Sequence, residues 1–444
     1  MNTQFRTRRE FLRSSALGGA LSSTAPAFFV NTMGALQAEA EEKGTNARKG
    51  KDSTILVVLQ MAGGNDGVNT LVPYANDHYH RARRHLNLGR ANLLKLDDDL
   101  ALHAGMTGFK QLYDDGELGI VQGVGYPNPN RSHFRSTEIW QTASDSNKFE
   151  TLGWIGRYFD HACKGADPTV GINVGRQNPQ AFASKDPLGV TVQNPSTYRF
   201  IDPIRGSQKD MMAADKSLRA LNQPDEDDGS LDLVSGDTIG GIAGKTMLQG
   251  SPLDFLERTA LDAQVSSDEI LKISEKARNL VDYPQSALSN SLRMVARLIG
   301  GGLSPRVFYL NQGGYDTHVN QAQTHERLLR ELSGGLKAFV ADLKAQGNFD
   351  RVMVMTFSEF GRRLQENASG GTDHGAGSLL FTIGKKINAG LLGEYPSLAP
   401  GDLTRGDLGH SIDFRSVYAA VLEQWLKTDS APVLGRKFEP IKLV

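Results

Sequence analysis

The apolar run ILVVL at residues 55–59 and the segment GGNDG at residues 63–67 together indicate the fold class of this chain. A strand without alternating polar residues is typical of a parallel sheet that is covered on both faces. A strand that ends close to a glycine delivers the next side chains to the carboxyl edge of the sheet, where open α/β folds bind ligands. The two segments therefore predict an α/β fold with a site near Asp66.

Further apolar runs recur along the chain, with helical patterns between them. Strands are predicted at residues 119–124, 307–310, 352–356 and 379–383. Helices are predicted at residues 107–115, 132–142, 153–163, 322–345 and 414–427, where apolar residues recur at helical spacing. This alternation predicts an α/β sandwich over residues 53–444. Residues 168–300 differ in composition, and we interpret them as a partly helical insertion that covers the site.

The N-terminal sequence has the pattern of an export signal. TRREFL at residues 7–12 is followed by an apolar stretch at 16–30 and by AEA at 38–40, a pattern that predicts a twin-arginine signal over residues 1–40. Residues 41–52 are charged and are predicted to form a flexible leader. We expect a periplasmic or secreted protein that meets the twin-arginine translocase during export. No later apolar segment reaches spanning length, so no transmembrane helix is expected in the mature chain, although retention of the signal as a tether stays open.

Charge and cysteine content restrict the possible partners. The formal net charge is −1, and loss of the signal would leave about −3. This balance predicts no nucleic-acid partner. Cys163 is the only cysteine, so an intrachain disulfide is excluded and a buried thiol is expected.

The segment GGYDTH at residues 313–318 follows a predicted strand. Asp316 and His318 flank Thr317, so in an extended backbone both side chains face the same way. Together with Asp66 they provide the hard oxygen and imidazole ligands that a divalent metal needs. Two alternatives stay open, because NDG can form a plain turn around Asp66 and His318 can cap the next helix. His325 is expected on a helix surface.

A second group of candidate ligands lies between the last two predicted strands. Glu359 follows one strand, and the pair Asp373 and His374 precedes the other within a glycine-flanked stretch. Both ends of a loop that connects two strands can reach one site. The candidate metal ligands are therefore Asp66, Asp316, His318, Glu359, Asp373 and His374. They imply one or two divalent ions, which could be Zn, Mn, Mg or Ca.

The segment YPNPNRSHFRS at residues 126–136 opens a predicted helix. Its prolines and asparagines delay the helix, so Ser132 is expected in or beside the first turn, where backbone N–H groups bind anions. Arg131 and Arg135 add positive charge, and a serine hydroxyl beside a metal can attack phosphorus or sulfur. The alternative is that Ser132 is an N-cap and that both arginines are surface charges.

These motifs, taken together, resemble those of the exported bacterial proteins grouped as domain of unknown function 1501. That group is similar to the alkaline phosphatase and sulfatase superfamily, and the resemblance implies a three-layer α/β/α sandwich with a mostly parallel sheet and a metal site at the strand ends. It also implies that Asp66, Asp316, His318 and His374 bind metal and that Ser132 is the nucleophile. The chain departs from the superfamily at Ser358-Glu359, where an Asp-His or Asp-Asn pair is usual. Ser132 also lacks the sulfatase signature, so a formylglycine mechanism is not supported.

The leading hypothesis is an exported, metal-dependent hydrolase of phosphate or sulfate esters, with a small-molecule or glycan substrate. Ser132 would attack the ester, and Arg131 or Arg135 would stabilise the anion. A second hypothesis is a non-catalytic exported binding protein that keeps the fold and a structural metal. A third is a metal-dependent isomerase or transferase that acts on a sugar phosphate.

Overall fold

The computed structural model describes residues 53–185, 188–193, 269–303 and 305–444. The predicted export signal at 1–40, the leader at 41–52 and a large part of the predicted insertion lie outside these residues. No helix within the described ranges is long and apolar enough to cross a membrane.

A central sheet organises the described part of the chain. The strands are β1 (Ile55–Met61), β2 (Leu71–Val72), β3 (Leu94–Lys95), β4 (Ala101–Leu102), β5 (Leu118–Gly125), β6 (Gly171–Val174), β7 (Val190–Val192), β8 (Val307–Gln312), β9 (Val352–Phe357), β10 (Arg362–Glu366), β11 (Thr372–His374), β12 (Ser378–Ile383), β13 (Gly390–Leu392) and β14 (Ile412–Asp413). Nine of these described strands form one sheet in the order β13-β5-β12-β9-β1-β8-β6-β7, with β14 also paired to β5.

The sheet is mostly parallel, as the apolar run at residues 55–59 predicts. Among the described strands of this sheet, β12 runs antiparallel to β5 and β9, and the other pairs are parallel. β1 lies between β8 and β9, and Leu59 is opposite Leu310 on one side and Thr356 on the other. Every residue of β1 is buried. Because the three neighbours are parallel, their carboxyl ends meet at the same edge.

Helices cover both faces of the sheet. They are α1 (Gly67–Thr70), α2 (Asp77–Ala82), α3 (Thr107–Asp114), α4 (His133–Thr142), α5 (Trp154–Ala162), α6 (Ala287–Gly300), α7 (Gln321–Ala345), α8 (Phe414–Ala420) and α9 (Ala431–Leu434). Phe109 of α3 packs edge to face on Phe381 of β12, with ring centroids 4.8 Å apart. Leu380, the next residue in that strand, packs in the same cluster as Trp140 of α4. Consecutive strand residues point to opposite faces, so the molecule is a three-layer α/β/α sandwich.

The strands and helices predicted from the sequence are all present. The helix predicted at residues 414–427 consists of α8 and a π-helical turn at Val421–Trp425, and the other predicted ends agree within a few residues. The buried thiol expected at Cys163 is confirmed as well. Several strands were not predicted, among them β2, β3, β4, β13 and β14. β6 and β7 fall within the region interpreted as an insertion and yet are strands of the central sheet. The β10–β11 hairpin was also missed, because RRLQE and TDH have no apolar alternation.

Candidate metal centre

The loops that follow β1 and β8 approach each other closely at the carboxyl edge of the sheet. Gly63 has a φ of +119°, and a Cβ at this position would lie 2.3 Å from the backbone nitrogen of Asp316. Its backbone N–H donates to Oε1 of Glu359, which follows β9, at 2.8 Å. Only glycine permits this conformation and this approach. The glycine therefore brings the ends of three adjacent strands together.

The Asp316 carboxylate lies among three histidine rings. Nε2 of His318 and Nε2 of His374 are 3.1 and 3.2 Å from Oδ1. Nε2 of His133 is 3.4 Å from Oδ2. The Nε2 atoms of His318 and His374 are 2.9 Å apart. Ligand atoms of His133, Asp316 and His374 all lie within 4.8 Å of one another.

The other ring nitrogen of each histidine faces an acceptor. Nδ1 of His374 is 2.8 Å from the carbonyl oxygen of Arg131, which can only accept, so Nδ1 carries the hydrogen. Nδ1 of His133 is 2.9 Å from Oε1 of Glu359. Nδ1 of His318 is 3.4 Å from Oδ1 of Asp373. When Nδ1 donates to such a partner, the lone pair of a neutral imidazole is on Nε2, which is the usual arrangement of a metal-bound histidine.

These side chains fit a divalent metal ion. Nε2 of His133 is buried and makes no hydrogen bond, which is costly unless another group binds it. The close pair of Nε2 atoms on His318 and His374 is likewise well suited to a shared cation. Three imidazoles and the carboxylate of Asp316 form a donor set typical of Zn²⁺, which takes four ligands.

Arg362, which is almost completely buried, connects the segments that carry the candidate ligands. Its guanidinium donates to Oδ1 of Asp316 at 2.6 Å. It also donates to four carbonyl oxygens, those of Gly63, Gly64, Tyr315 and Thr372. Partial burial raises the pKa of Asp316, but the hydrogen bond from Arg362, the contact with the His374 ring and the positive charges nearby lower it to about 2. Asp316 is therefore ionised at neutral pH, as a metal ligand must be.

The histidines differ in their proton affinity. The hydrogen bond to Glu359 raises the pKa of His133, against the effect of burial. Burial lowers the pKa of His374, and the charges of Arg362 and His133 act in the same direction. Phe360 packs against both rings, with centroids 4.9 Å from His133 and 4.7 Å from His374. These contacts, in which the rings are tilted by 40° and 35°, restrict the rotation of both histidines.

Asp66, the remaining candidate ligand, lies in a different environment from the three histidines. Its side chain is completely buried, and Nη1 of Arg83 donates to Oδ2 at 2.6 Å while Nη2 donates to Oδ1 at 3.0 Å. Nε2 of Gln321 also donates to Oδ2. Asp66 additionally caps α1, where the Asn69 N–H is 3.4 Å from Oδ1. Both oxygens of Asp66 therefore already have donors, whereas Asp316, His318 and His374 lie together and Glu359 and Asp373 lie behind histidines.

Ser132 lies at the start of α4, directly before His133. It is exposed and occupies the N-cap position, but its side chain makes no capping hydrogen bond. Arg131 is bound to the buried carboxylate of Asp407, with Nε 2.9 Å from Oδ2. The carbonyl oxygen of Arg131 accepts a hydrogen bond from Nδ1 of His374. The hydroxyl of Ser132 is thus presented to solvent next to a side chain of the centre.

Arg135 is engaged in its own loop. Nη2 donates to the carbonyl oxygens of Asp145 and Ser146 at 3.2 Å each, and Nη1 is 2.8 Å from Oε2 of Glu138. The guanidinium also lies over the ring of Phe149, 4.1 Å from the centroid. These contacts hold the guanidinium of Arg135 within its own segment, although the buried Nη1 makes no hydrogen bond.

Sequence reasoning missed His133, Arg362, Arg83 and Gln321. His133 lies in the segment at residues 126–136, but nothing in a single sequence shows that the start of α4 reaches Asp316. The expectation that His325 lies on a helix surface was wrong. His325 is buried, with Nε2 3.0 Å from Oδ1 of Asn65 and its ring beside His103, 6.0 Å between centroids.

Comparison of the sequence with protein families confirms the family resemblance inferred from the motifs. Residues 246–434 match the family described as "Protein of unknown function (DUF1501)". This match contains Asp316, His318, Glu359, Asp373 and His374. No curated protein matches the sequence significantly.

Among solved structures, the chain is similar to members of the alkaline phosphatase and sulfatase group. A protein in the alkaline phosphatase superfamily from Vibrio parahaemolyticus is 11% identical, with a TM-score of 0.37 over 97% of this chain and 77% of that chain. The PsFucS1 sulfatase from Pseudoalteromonas sp. is 11% identical, with a TM-score of 0.33 over 82% and 68%. The lipoteichoic acid synthase LtaP from Listeria monocytogenes is 7% identical, with a TM-score of 0.34 over 88% and 78%. Similarity this low carries no information about activity.

Proposed function

We propose that this protein is an exported, metal-dependent hydrolase of phosphate or sulfate esters. One observation carries the proposal: Nε2 atoms of three histidines converge on Asp316, while each Nδ1 faces an acceptor. A structural cluster of histidines does not require such consistent orientation of the rings. The arrangement is that of imidazoles prepared to bind a cation.

His133, Asp316, His318 and His374 would hold the ion, and Zn²⁺ suits this donor set best. A bound divalent ion supplies a Lewis acid that polarises the ester and favours the deprotonated form of a nearby hydroxyl. The protein's own residues keep the ligands in the charge state and orientation that bind a metal ion. Arg362 holds Asp316 ionised, and Phe360 limits the ring rotation of two histidines.

Ser132 is the proposed nucleophile. Its hydroxyl would attack phosphorus or sulfur, a bond to Ser132 Oγ would form, and the alcohol of the ester would leave with a proton. Water would then hydrolyse the covalent ester and release inorganic phosphate or sulfate. The exposed position of Ser132 beside His133 leaves room for a bulky ester, such as one on a small molecule or a glycan.

A non-catalytic binding protein with a structural metal is the second candidate. The engagement of Arg131 by Asp407 and of Arg135 by its own loop favours this candidate, because neither arginine is then available to a substrate anion in this conformation. Binding of metal without turnover of any ester would support it over the hydrolase.

The test is metal content together with ester hydrolysis. Wild-type mature protein should contain stoichiometric divalent metal by elemental analysis, and Asp316→Ala and His374→Ala should lose it. His161→Ala, which changes an exposed histidine elsewhere, is the matched control and should retain the metal. Folding of each variant would be verified by circular dichroism.

The same samples would be assayed with aryl phosphate and aryl sulfate esters. We expect Ser132→Ala to keep the metal but to lose turnover by at least about 1,000-fold, because removal of a nucleophile abolishes the covalent step. A folded wild type that stays free of metal after divalent ions are supplied would contradict the proposal. Equal turnover by Ser132→Ala and the wild type would exclude the serine mechanism.

We also propose that the protein is exported through the twin-arginine pathway. Its support is the N-terminal pattern of Arg8 and Arg9 before an apolar stretch and a small-x-small site. The Arg8→Lys/Arg9→Lys variant should accumulate in the cytoplasm, whereas Arg6→Lys should be exported normally. Equal export of both variants would contradict this route.

A further inference from the structure

A buried polar network lies behind the proposed metal centre, and Gln321 is at its middle. Gln321 is the first residue of α7, and its side chain is fully buried. Nε2 donates to Oδ2 of Asp66. Oε1 accepts two hydrogen bonds, from Oγ1 of Thr317 at 3.0 Å and from Oγ1 of Thr372 at 2.6 Å. One amide therefore connects three segments that are distant in sequence.

Both threonines are neighbours of proposed metal ligands. Thr317 lies between Asp316 and His318, and Thr372 lies two residues before His374. The two segments also contact each other directly, since the Thr372 N–H donates to the Thr317 carbonyl at 3.2 Å. Gln321 thus bridges the β8 loop, which carries Asp316 and His318, and β11, which carries His374.

The orientation of the Gln321 amide follows from the charge of Asp66. Because Asp66 is paired with Arg83 and ionised, it can only accept, so the amide NH₂ must face it. The amide oxygen is consequently directed to the two threonine hydroxyls. Arg83 in turn donates to the carbonyl oxygens of Arg363 and Leu364 in β10, the strand that pairs with β11.

We propose that Gln321, oriented by the buried Asp66–Arg83 pair, is a positioning residue for the metal centre. It sets the distance between the loop that carries Asp316 and His318 and the strand that carries His374. Asp66 then acts on the site through Gln321 and not as a ligand. This inference rests on the metal site of the proposed function.

The test removes hydroxyl groups without changing side-chain volume. Thr317→Val/Thr372→Val deletes both hydrogen bonds to Oε1 of Gln321. Thr382→Val is the matched control, because Thr382 is also fully buried and its hydroxyl makes no hydrogen bond. The Zn²⁺ dissociation constant would be measured by competition with a chromophoric chelator. The absorption spectrum of the Co²⁺-loaded protein would report the geometry of the ligands.

We expect the double variant to bind Zn²⁺ about 10- to 100-fold more weakly, the usual effect of removing a group that orients metal ligands. Its Co²⁺ bands should shift or lose intensity relative to the wild type. Thr382→Val should match the wild type in both measurements. If the double variant does not fold, Thr317→Val and Thr372→Val singly should each give a smaller change in the same direction.

The possible failures are distinguishable. A wild type that binds neither Zn²⁺ nor Co²⁺ overturns the proposed function and this inference with it. A wild type that binds Zn²⁺, with threonine variants that keep its affinity and its Co²⁺ spectrum, overturns the role of Gln321 alone.

Discussion

Asp66 and Arg83 form an ion pair in which both side chains are completely buried. Desolvation opposes ionisation of each group, and yet the pKa of Asp66 is lowered and the pKa of Arg83 is raised by their mutual attraction. Such a pair contributes little net stability, but an unpaired member is costly. The residue that the sequence presents as a metal ligand is therefore, in the fold, part of a self-neutralising pair.

We predict that Arg83→Met destabilises the protein by about 3–5 kcal/mol, because it leaves the Asp66 carboxylate buried without its counter-charge. Arg83→Met/Asp66→Asn removes both charges and should be less destabilised than the single variant. The free energy of unfolding would be measured by urea titration. A double variant less stable than Arg83→Met would contradict this account of the pair.

His325 makes the protein sensitive to mild acid. Burial lowers its pKa to about 4, and the charges of Arg83 and Arg362 and the proximity of His103 act in the same direction, whereas Asp66 opposes them. An unfolded histidine titrates near 6.5, so between about pH 6.5 and 4 the unfolded state binds more protons. The free energy of unfolding should fall with decreasing pH over that window, by up to roughly 3 kcal/mol.

The measurement is urea unfolding at several pH values, for the wild type and for His325→Gln. The variant should lose much of the dependence between pH 6.5 and 4. His161→Ala, which alters an exposed histidine, should retain the slope of the wild type. Identical slopes for the wild type and His325→Gln would show that His325 is not the cause.

At the level of elements, the centre depends on loops that cross at van der Waals contact. The loop after β1 passes the loop after β8 at Gly63, and Arg362 of β10 ties both to β11. Gly371 makes a similar approach, since a Cβ there would lie 2.3 Å from the backbone of His318. Because of these contacts, the loops that carry the candidate ligands cannot shift far from their positions.

We predict that Gly63→Ala destabilises the protein by at least about 2 kcal/mol, since it combines an unfavourable φ with a backbone clash. Gly347→Ala is the control, because Gly347 also has a positive φ, +71°, but no atom within 4 Å of the added Cβ. It should cost about 1 kcal/mol. Thermal and urea unfolding would measure both, and equal losses would contradict the importance of the close approach.

For the molecule as a whole, the proposed ion would connect α4, the β8 loop and the β10–β11 hairpin. These ligands lie far apart in the unfolded chain, so metal should bind the native state alone. We predict that Zn²⁺ at about 100 times its dissociation constant stabilises the fold by about 2.7 kcal/mol. Scanning calorimetry with Zn²⁺ and with a chelator would measure this. His374→Ala should lose the shift, His161→Ala should keep it, and an unshifted wild type would contradict the site.

Sequence alone predicted the layers of the fold and three of the four side chains of the proposed metal centre. The run at residues 55–59 is apolar at every position, and only a strand buried on both faces requires this, so a parallel sheet followed directly. Asp316 and His318 alternate after β8, and His374 precedes β12, so strand geometry predicted that they face one edge. Local periodicity and local spacing encode such features.

Only the tertiary structure showed that Asp66 pairs with Arg83 and that His133 lies beside Asp316. Asp66 is followed by the short helix α1 and the strand β2, and this local sequence is the same for a metal ligand and for a partner of Arg83. The difference lies in the position of the buried guanidinium of Arg83, 17 residues later. His133 reaches Asp316 because α4 packs on the sheet beside β9, across 183 residues of chain. Contacts between distant residues arise from packing and charge compensation, which local sequence patterns do not contain.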